Sequence, residues 1–258
     1  MTERRILSRA LGYLEGLVLI AVAAYAGCLA LFGEYWMLLN PGFKWLTLST
    51  AVALFIAGGT ALWRPVRSAN GFGVAVFLVF IVIAASGSAR VFDLSPPEEI
   101  SSRLRTPEPS RIEFEGQEYI RINLAELLLL SSKPGQAGEH PYFTLFGQVR
   151  RTGNTGTAGV FYLVRVMVWC CLADATGVGL MVDGGEGDAF KDGEWVRVHA
   201  RLKPLGAQNR ERLELDQKDF PLLMLSDTFL LKPVFIERID EPEIPYIFTI
   251  NTQEPYSY

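Results

Sequence analysis

Cysteine and histidine are scarce in this chain, with three of the first and two of the second among 258 residues. Three cysteines cannot staple a small secreted domain, so a disulfide framework is excluded. His140 and His199 stand alone, neither in a metal-type spacing, and His199 reads as an exposed strand residue. There is no Ser/His/Asp arrangement, no P-loop and no Gly-x-Gly-x-x-Gly run. Hydrolase, NTPase and dinucleotide-binding readings therefore lack support. Positive charge is also short: 24 Lys+Arg against 28 Asp+Glu leave a net charge of −4, which gives nucleic-acid phosphates no overall attraction. Charged residues make up only 20% of the chain and hydrophobic ones 50%, the opposite of a disordered composition.

The apolar residues are unevenly placed. Gly16 to Gly33, Trp45 to Trp63 and Phe72 to Ala89 are charge-free runs of 18, 19 and 18 residues. With their flanks they meet the roughly 20 residues that a helix needs to cross a bilayer core. Three such runs within the first 90 residues exceed what one buried soluble helix explains. Arg4, Arg5 and Arg9 precede the first run as they would in a signal peptide, but the run is too long for that reading. Arg4, Arg5, Arg9, Arg64 and Arg67 flank one side of the expected spans, and Lys44 and Arg90 the other. That asymmetry predicts a cytoplasmic N-terminus, a multi-pass cell-membrane protein and an extracytoplasmic C-terminal part. Charge divides at the same place, +4 over residues 1–92 and −8 over 93–258.

The expected organisation is a transmembrane anchor over 1–92, with helices at about 11–33, 43–63 and 72–90, then a Pro-rich linker over 93–110, then a β domain over 111–258. Pro96, Pro97, Pro107 and Pro109 mark the linker. Beyond it, Ile112–Phe114 and Glu118–Ile122 flank Gly116 as a small hairpin, and Asn123 is placed to cap a short helix over Leu124–Leu130. Strands are predicted over Tyr142–Arg151, Val160–Cys170, Val178–Val182, Trp195–Leu202 and Leu230–Ile239. In the fourth, Val196, Val198, Ala200 and Leu202 alternate with Arg197, His199 and Arg201. Five principal strands with one excursion at about 204–228 fit an OB-like five-stranded barrel. A β-sandwich would need about seven. The fold class is thus membrane-anchored α + β: three N-terminal helices and a mostly-β C-terminal domain.

One cluster stands out: Arg165-Val-Met-Val-Trp-Cys-Cys-Leu-Ala-Asp174. Thiolates are soft ligands for zinc or copper, and Asp174 could add an oxygen, so Cys170, Cys171 and Asp174 are the candidate metal ligands. Neighbours on a regular strand point to opposite faces, so the two sulfurs can share an ion only if the chain bends there. Ala173 to Gly177 does read as a turn. A vicinal disulfide and plain core packing of one cysteine are the other readings. Asp183-Gly-Gly-Glu-Gly-Asp188 lacks EF-hand spacing and reads as a turn between strands. Glu15 sits at the edge of the first span, where an intramembrane carboxylate would be costly, and Cys28 reads as helix packing.

Gly147-Gln-Val-Arg-Arg151, Val164-Arg-Val-Met-Val-Trp-Cys-Cys-Leu-Ala-Asp-Ala175, Gly193-Glu-Trp-Val-Arg-Val198 and Pro242-Glu-Ile-Pro-Tyr-Ile247 together resemble the YcgQ family of proposed permease subunits. The resemblance covers roughly residues 110–250. Gln148 stands where that family has an aromatic residue, and Ala200 where glycine is common. The resemblance implies N-terminal transmembrane helices, a C-terminal domain with a Cys-Cys-x-Ala-Asp motif, and partnership with a separate polytopic permease. The expected function is a non-enzymatic accessory subunit of a membrane permease, its β domain acting at the partner's outer face. The alternative is a membrane-anchored metal- or thiol-handling protein using Cys170 and Cys171. Small residues in the second and third runs, Gly58, Gly59, Ala84 and Gly87 among them, would allow close helix contacts. The expected surroundings are the lipid bilayer and the permease, without nucleic acid.

Overall fold

A computed structural model describes residues 2–63 (side chains of 2–9 and 11 excepted), 110–132, 142–151, 159–184, 190–211 and 223–258. The expected third span at 72–90 and the linker up to residue 109 lie outside the described residues, as does His140. The chain divides into two compact units, Met1–Ile100 and Ser101–Tyr258.

In the first unit, helix α1 (Thr2–Phe32) runs into helix α2 (Lys44–Trp63) through two short 3-10 turns, Tyr35–Met37 and Pro41–Phe43. The reversal is fixed by side chains: Asn40 accepts a hydrogen bond from the Gly42 amide, and Tyr35 and Thr47 join hydroxyls at 2.7 Å. Gly12–Phe32 and Pro41–Trp63 have the length and hydropathy to cross a membrane. At Gly58 the two helices are in close contact. A Cβ there would lie 2.7 Å from Ile20 Cγ1 and 2.8 Å from the Gly16 carbonyl oxygen, so only glycine fits. Gly59, its neighbour, meets nothing within 4 Å. Trp45, Val52, Phe55, Ile56 and Trp63 on α2 are exposed.

The second unit starts with a hairpin of β1 (Arg111–Phe114) and β2 (Gln117–Arg121). Its two-residue loop holds Glu115 at φ 51 and Gly116 at φ 76. Two positive φ values in succession match the twist of an antiparallel pair. Helix α3 (Leu124–Ser131) follows, with a capping box: Asn123 accepts from the Glu126 amide, and the Glu126 carboxylate accepts from the Asn123 amide. Strands β3 (Tyr142–Arg150), β4 (Val160–Met167), β5 (Thr176–Asp183), β6 (Trp195–Pro204), β7 (Leu223–Leu225), β8 (Phe229–Arg238) and β9 (Tyr246–Ile247) complete it.

Five of these close into a ring: β3 pairs β6, β6 pairs β8, β8 pairs β5, β5 pairs β4, and β4 returns to β3. The β5–β8 contact is parallel, at Val182↔Leu231; the other four are antiparallel. The five-stranded barrel expected from the strand count is therefore present. β7 and β9 are short strands that the sequence reading missed. Phe143, Leu145, Val149, Phe161, Leu163, Leu180, Val182, Val196, Val198 and Leu231 fill the interior together with Leu124 and Leu127 of α3. Each such aliphatic side chain contributes about 1.5–3 kcal/mol on full burial. Between β6 and β8 the register shifts after His199, where Pro233 faces Ala200. Proline has no N–H to give the ladder, which accounts for the irregularity.

Val196, Val198 and Ala200 are buried as their alternation requires, but of Arg197, His199 and Arg201 on the opposite face only Arg201 is exposed. His199, expected to be exposed, is only 4% accessible. The β1–β2 hairpin covers it: the Phe114 ring stacks on the imidazole at 4.3 Å, Tyr119 meets it edge-on at 5.3 Å, and Thr144 Oγ1 bonds Nδ1 at 2.9 Å. Burial holds its pKa below the ordinary value, opposed by Glu237 and reinforced by Arg197 and Arg121. The unfolded chain then takes up this proton first, so stability is lost as pH falls through the ordinary value near 6.5 towards the lower folded one. His199→Asn, which keeps a polar atom near Thr144, should flatten that part of the curve. Thermal unfolding of both full chains in detergent from pH 7 to about pH 5 measures the difference; parallel curves would show that His199 does not titrate there.

Candidate functional site

Strand β4 stops at Met167, three residues before the expected end at Cys170. The Val168 amide still donates to the Ile247 carbonyl, but the next three amides turn to a side chain instead. Trp169 N donates to Asp174 Oδ1 at 3.0 Å, and Cys170 N and Cys171 N donate to Oδ2 at 2.8 and 3.3 Å. A carboxylate is a strong acceptor for several N–H groups at once, so it outcompetes strand continuation here. Asp174 closes the turn with its own amide on the Cys171 carbonyl, through a 3-10 turn over Leu172–Asp174.

This bend removes the geometric objection raised by a regular strand. Cys170 Sγ lies 3.6 Å from Cys171 Sγ, and both thiols are free. The donor atoms of Cys170, Cys171 and Asp174 all fall within 4.8 Å of one another. The three residues singled out in the sequence are thus brought together. The packing alternative does not describe them, because Cys170 is exposed and Cys171 half-buried. Trp169 and Leu172 project beside them, 60% and 48% exposed.

The cluster is electrostatically asymmetric. Its hydrogen bond to Asp174, then that to Cys171, pushes the Cys170 thiol up to about 12. The same Cys170 contact, with the three backbone amides, holds the Asp174 carboxyl below its ordinary range. In this state Cys170 is a protonated thiol beside an ionised carboxylate, and so a poor nucleophile.

Arg165 anchors the strand that leads into the turn. It is 6% exposed, and its guanidinium donates to the carbonyls of Pro245, Tyr246 and Ile244 at 3.3, 3.1 and 3.5 Å. It also lies 4.1 Å above the Phe146 ring. Burial lowers its pKa to about 10, which leaves it charged at neutral pH. This ties the Arg165–Asp174 segment to the Pro-Tyr segment near the C-terminus. A lone arginine in an apolar strand was the signal for such a tie, but the sequence does not name its acceptors.

Other residues considered in the sequence lie apart from the cluster. His199 is enclosed by the hairpin, and Asp183 pairs with Lys232 at 3.1 Å. Residues 185–188 are outside the described residues. Cys28 is a free, exposed thiol on α1 in the other unit, where Glu15 is half-buried.

Residues 141–249 match the family model described as DUF1980 C-terminal domain. The matched stretch takes in all five barrel strands, the Cys-Cys turn and β9. No curated protein matches the chain.

Replacing the charge next to the thiol tests this account of the turn. In Asp174→Asn the Cys170 thiol should fall towards the ordinary value of about 8.5. Each unit of that fall raises the thiolate fraction at neutral pH about tenfold. Iodoacetamide modification of Cys170, followed by peptide mass spectrometry, should accelerate accordingly. An unchanged rate would show that Asp174 does not hold the proton on that sulfur.

Proposed function

We propose that this chain is a non-enzymatic accessory subunit of a polytopic membrane permease, anchored by its N-terminal helices and acting through its barrel at the partner's outer face. The observation that carries this reading is the Cys-Cys-Asp turn. It stands exposed on a closed barrel, flanked by Trp169 and Leu172, and such a surface suits contact with another molecule. The resemblance to the YcgQ family supports the permease as that molecule. The strand order supports an OB-type barrel, a fold used widely for binding, though fold alone does not assign a ligand.

In this reading the N-terminus is cytoplasmic, three spans cross the cell membrane, and the barrel lies outside. The cationic flanks support that orientation. Gly58 is already taken by contact with α1, so it cannot be the partner's contact. Gly59, with open space around it among exposed apolar residues of α2, suits that role.

Two measurements test the proposal. Gly59→Leu should reduce recovery of a permease from mild detergent severalfold and leave this chain folded, whereas Gly58→Leu should disturb the α1–α2 pair itself. Recovery of wild-type chain without any polytopic partner would sink the accessory reading. For orientation, Glu241→Cys in a chain lacking the three native cysteines should react with a membrane-impermeant maleimide in intact cells, since residue 241 is exposed. Reaction only after lysis would place the barrel in the cytoplasm.

A further inference from the structure

We propose that Cys170, Cys171 and Asp174 form an open, exchangeable site for a thiophilic divalent cation of the zinc type. The donor set is the first reason. Two sulfurs bound at about 2.3 Å to one tetrahedral ion lie roughly 3.8 Å apart. Cys170 and Cys171 are already at 3.6 Å, so both sulfurs reach one ion with little backbone change. Each sulfur gives up its proton to solvent as the metal–sulfur bond forms, and no oxidation is involved.

Asp174 can supply the third donor. A carboxylate has about four lone-pair positions. Oδ2 accepts two amides and Oδ1 one, and the position that the Cys170 thiol occupies is freed when that sulfur loses its proton to the metal. One of its carboxylate oxygens lies within 4.8 Å of both sulfurs. Asp174 is therefore both a positioning residue for the two cysteine backbones and a ligand through the lone pair so freed.

The openness of the site is the second reason. Structural zinc sites close the shell with four protein donors, whereas sites that work on or pass on a molecule keep a position free. This turn contributes three donors on a surface where Cys170, Trp169 and Leu172 are exposed. The fourth position falls to water or to a donor from another molecule. The turn is also held by Asp174's hydrogen bonds to three amides, bonds that need no ion, so the site stays formed as metal enters and leaves. That is the behaviour of a hand-over site, not of a structural metal. It goes beyond the permease reading and is measured on this chain alone, so neither result decides the other.

The test uses the full chain in detergent under a non-thiol reductant, titrated with zinc against a chromophoric chelator and with cobalt followed by absorption. One ion should bind per chain, and the cobalt form should show sulfur-to-cobalt charge-transfer absorption. Cys170→Ser and Cys171→Ser should each abolish that absorption, while Cys28→Ala should leave it unchanged. Asp174→Glu, which keeps the carboxylate but moves it, should weaken affinity by about tenfold or more. The chelator should strip the zinc within the mixing time without changing the circular dichroism. Absence of stoichiometric metal, or binding that survives both cysteine substitutions, would overturn the site. Slow removal coupled to unfolding would overturn its exchangeable character.

Discussion

Strand β3 belongs to both ends of the barrel, and closure through it is the constraint on which the second unit depends. One edge runs antiparallel to β6 from Tyr142 to Gln148. The other edge is shared, first by β2 at Phe143 and Thr144, then by β4 from Gln148 to Arg150. One edge is thus split between two partners, and α3 seats Leu124 and Leu127 in the core of the barrel. Gly147 stands at the crowded point, where a Cβ would come within 2.9 Å of the Val164 carbonyl oxygen. The barrel thus closes because β3 is smooth where β4 crosses it.

The same division of edges produces the Cys-Cys-Asp turn. β4 pairs with β3 as far as Val164 and with β9 at Val166 and Met167. Beyond Val168 the pairing with β9 ends, and the amides of residues 169–171 turn to a side-chain acceptor. Asp174 is near enough in sequence to fold back and supply it. Arg165 holds the other side by binding the carbonyls that lead into β9. The two cysteines therefore sit together as a consequence of backbone hydrogen bonding, and the proposed metal site rests on a solution to a strand end.

The C-terminal segment is fastened in a comparable way. Glu126, 1% exposed, accepts from the amides of Asn251 and Ser257 at 2.6 and 3.0 Å, beyond its part in the capping box. Asn123 donates to the Thr249 carbonyl, and Arg197 to the Tyr258 hydroxyl. Burial raises the Glu126 pKa while these amides oppose the rise. A single acid at the start of a short helix thus serves both the helix and the tail that crosses it. In the sequence it is a single carboxylate within the otherwise apolar run Leu124–Leu130.

Local patterning alone determined much of this protein. The apolar runs specified α1 and α2, alternation specified the inward face of β6, and the spacing of β-rich segments specified a five-stranded barrel, because each signal depends only on residues near in sequence. The Cys-Cys-Asp cluster was legible as a chemical set for the same reason. Its geometry was not, since the bend at Trp169 depends on where β4 loses its partners. Burial of His199 depended on a hairpin some eighty residues earlier folding over the sheet. The acceptors of Arg165 lie about eighty residues later in β9 and its approach. Gly58 and Gly59 read alike in sequence, and only the packing of α2 on α1 distinguished the one that is filled from the one that is open. Tertiary structure decided these points because each turns on which distant segment occupies the space beside a residue.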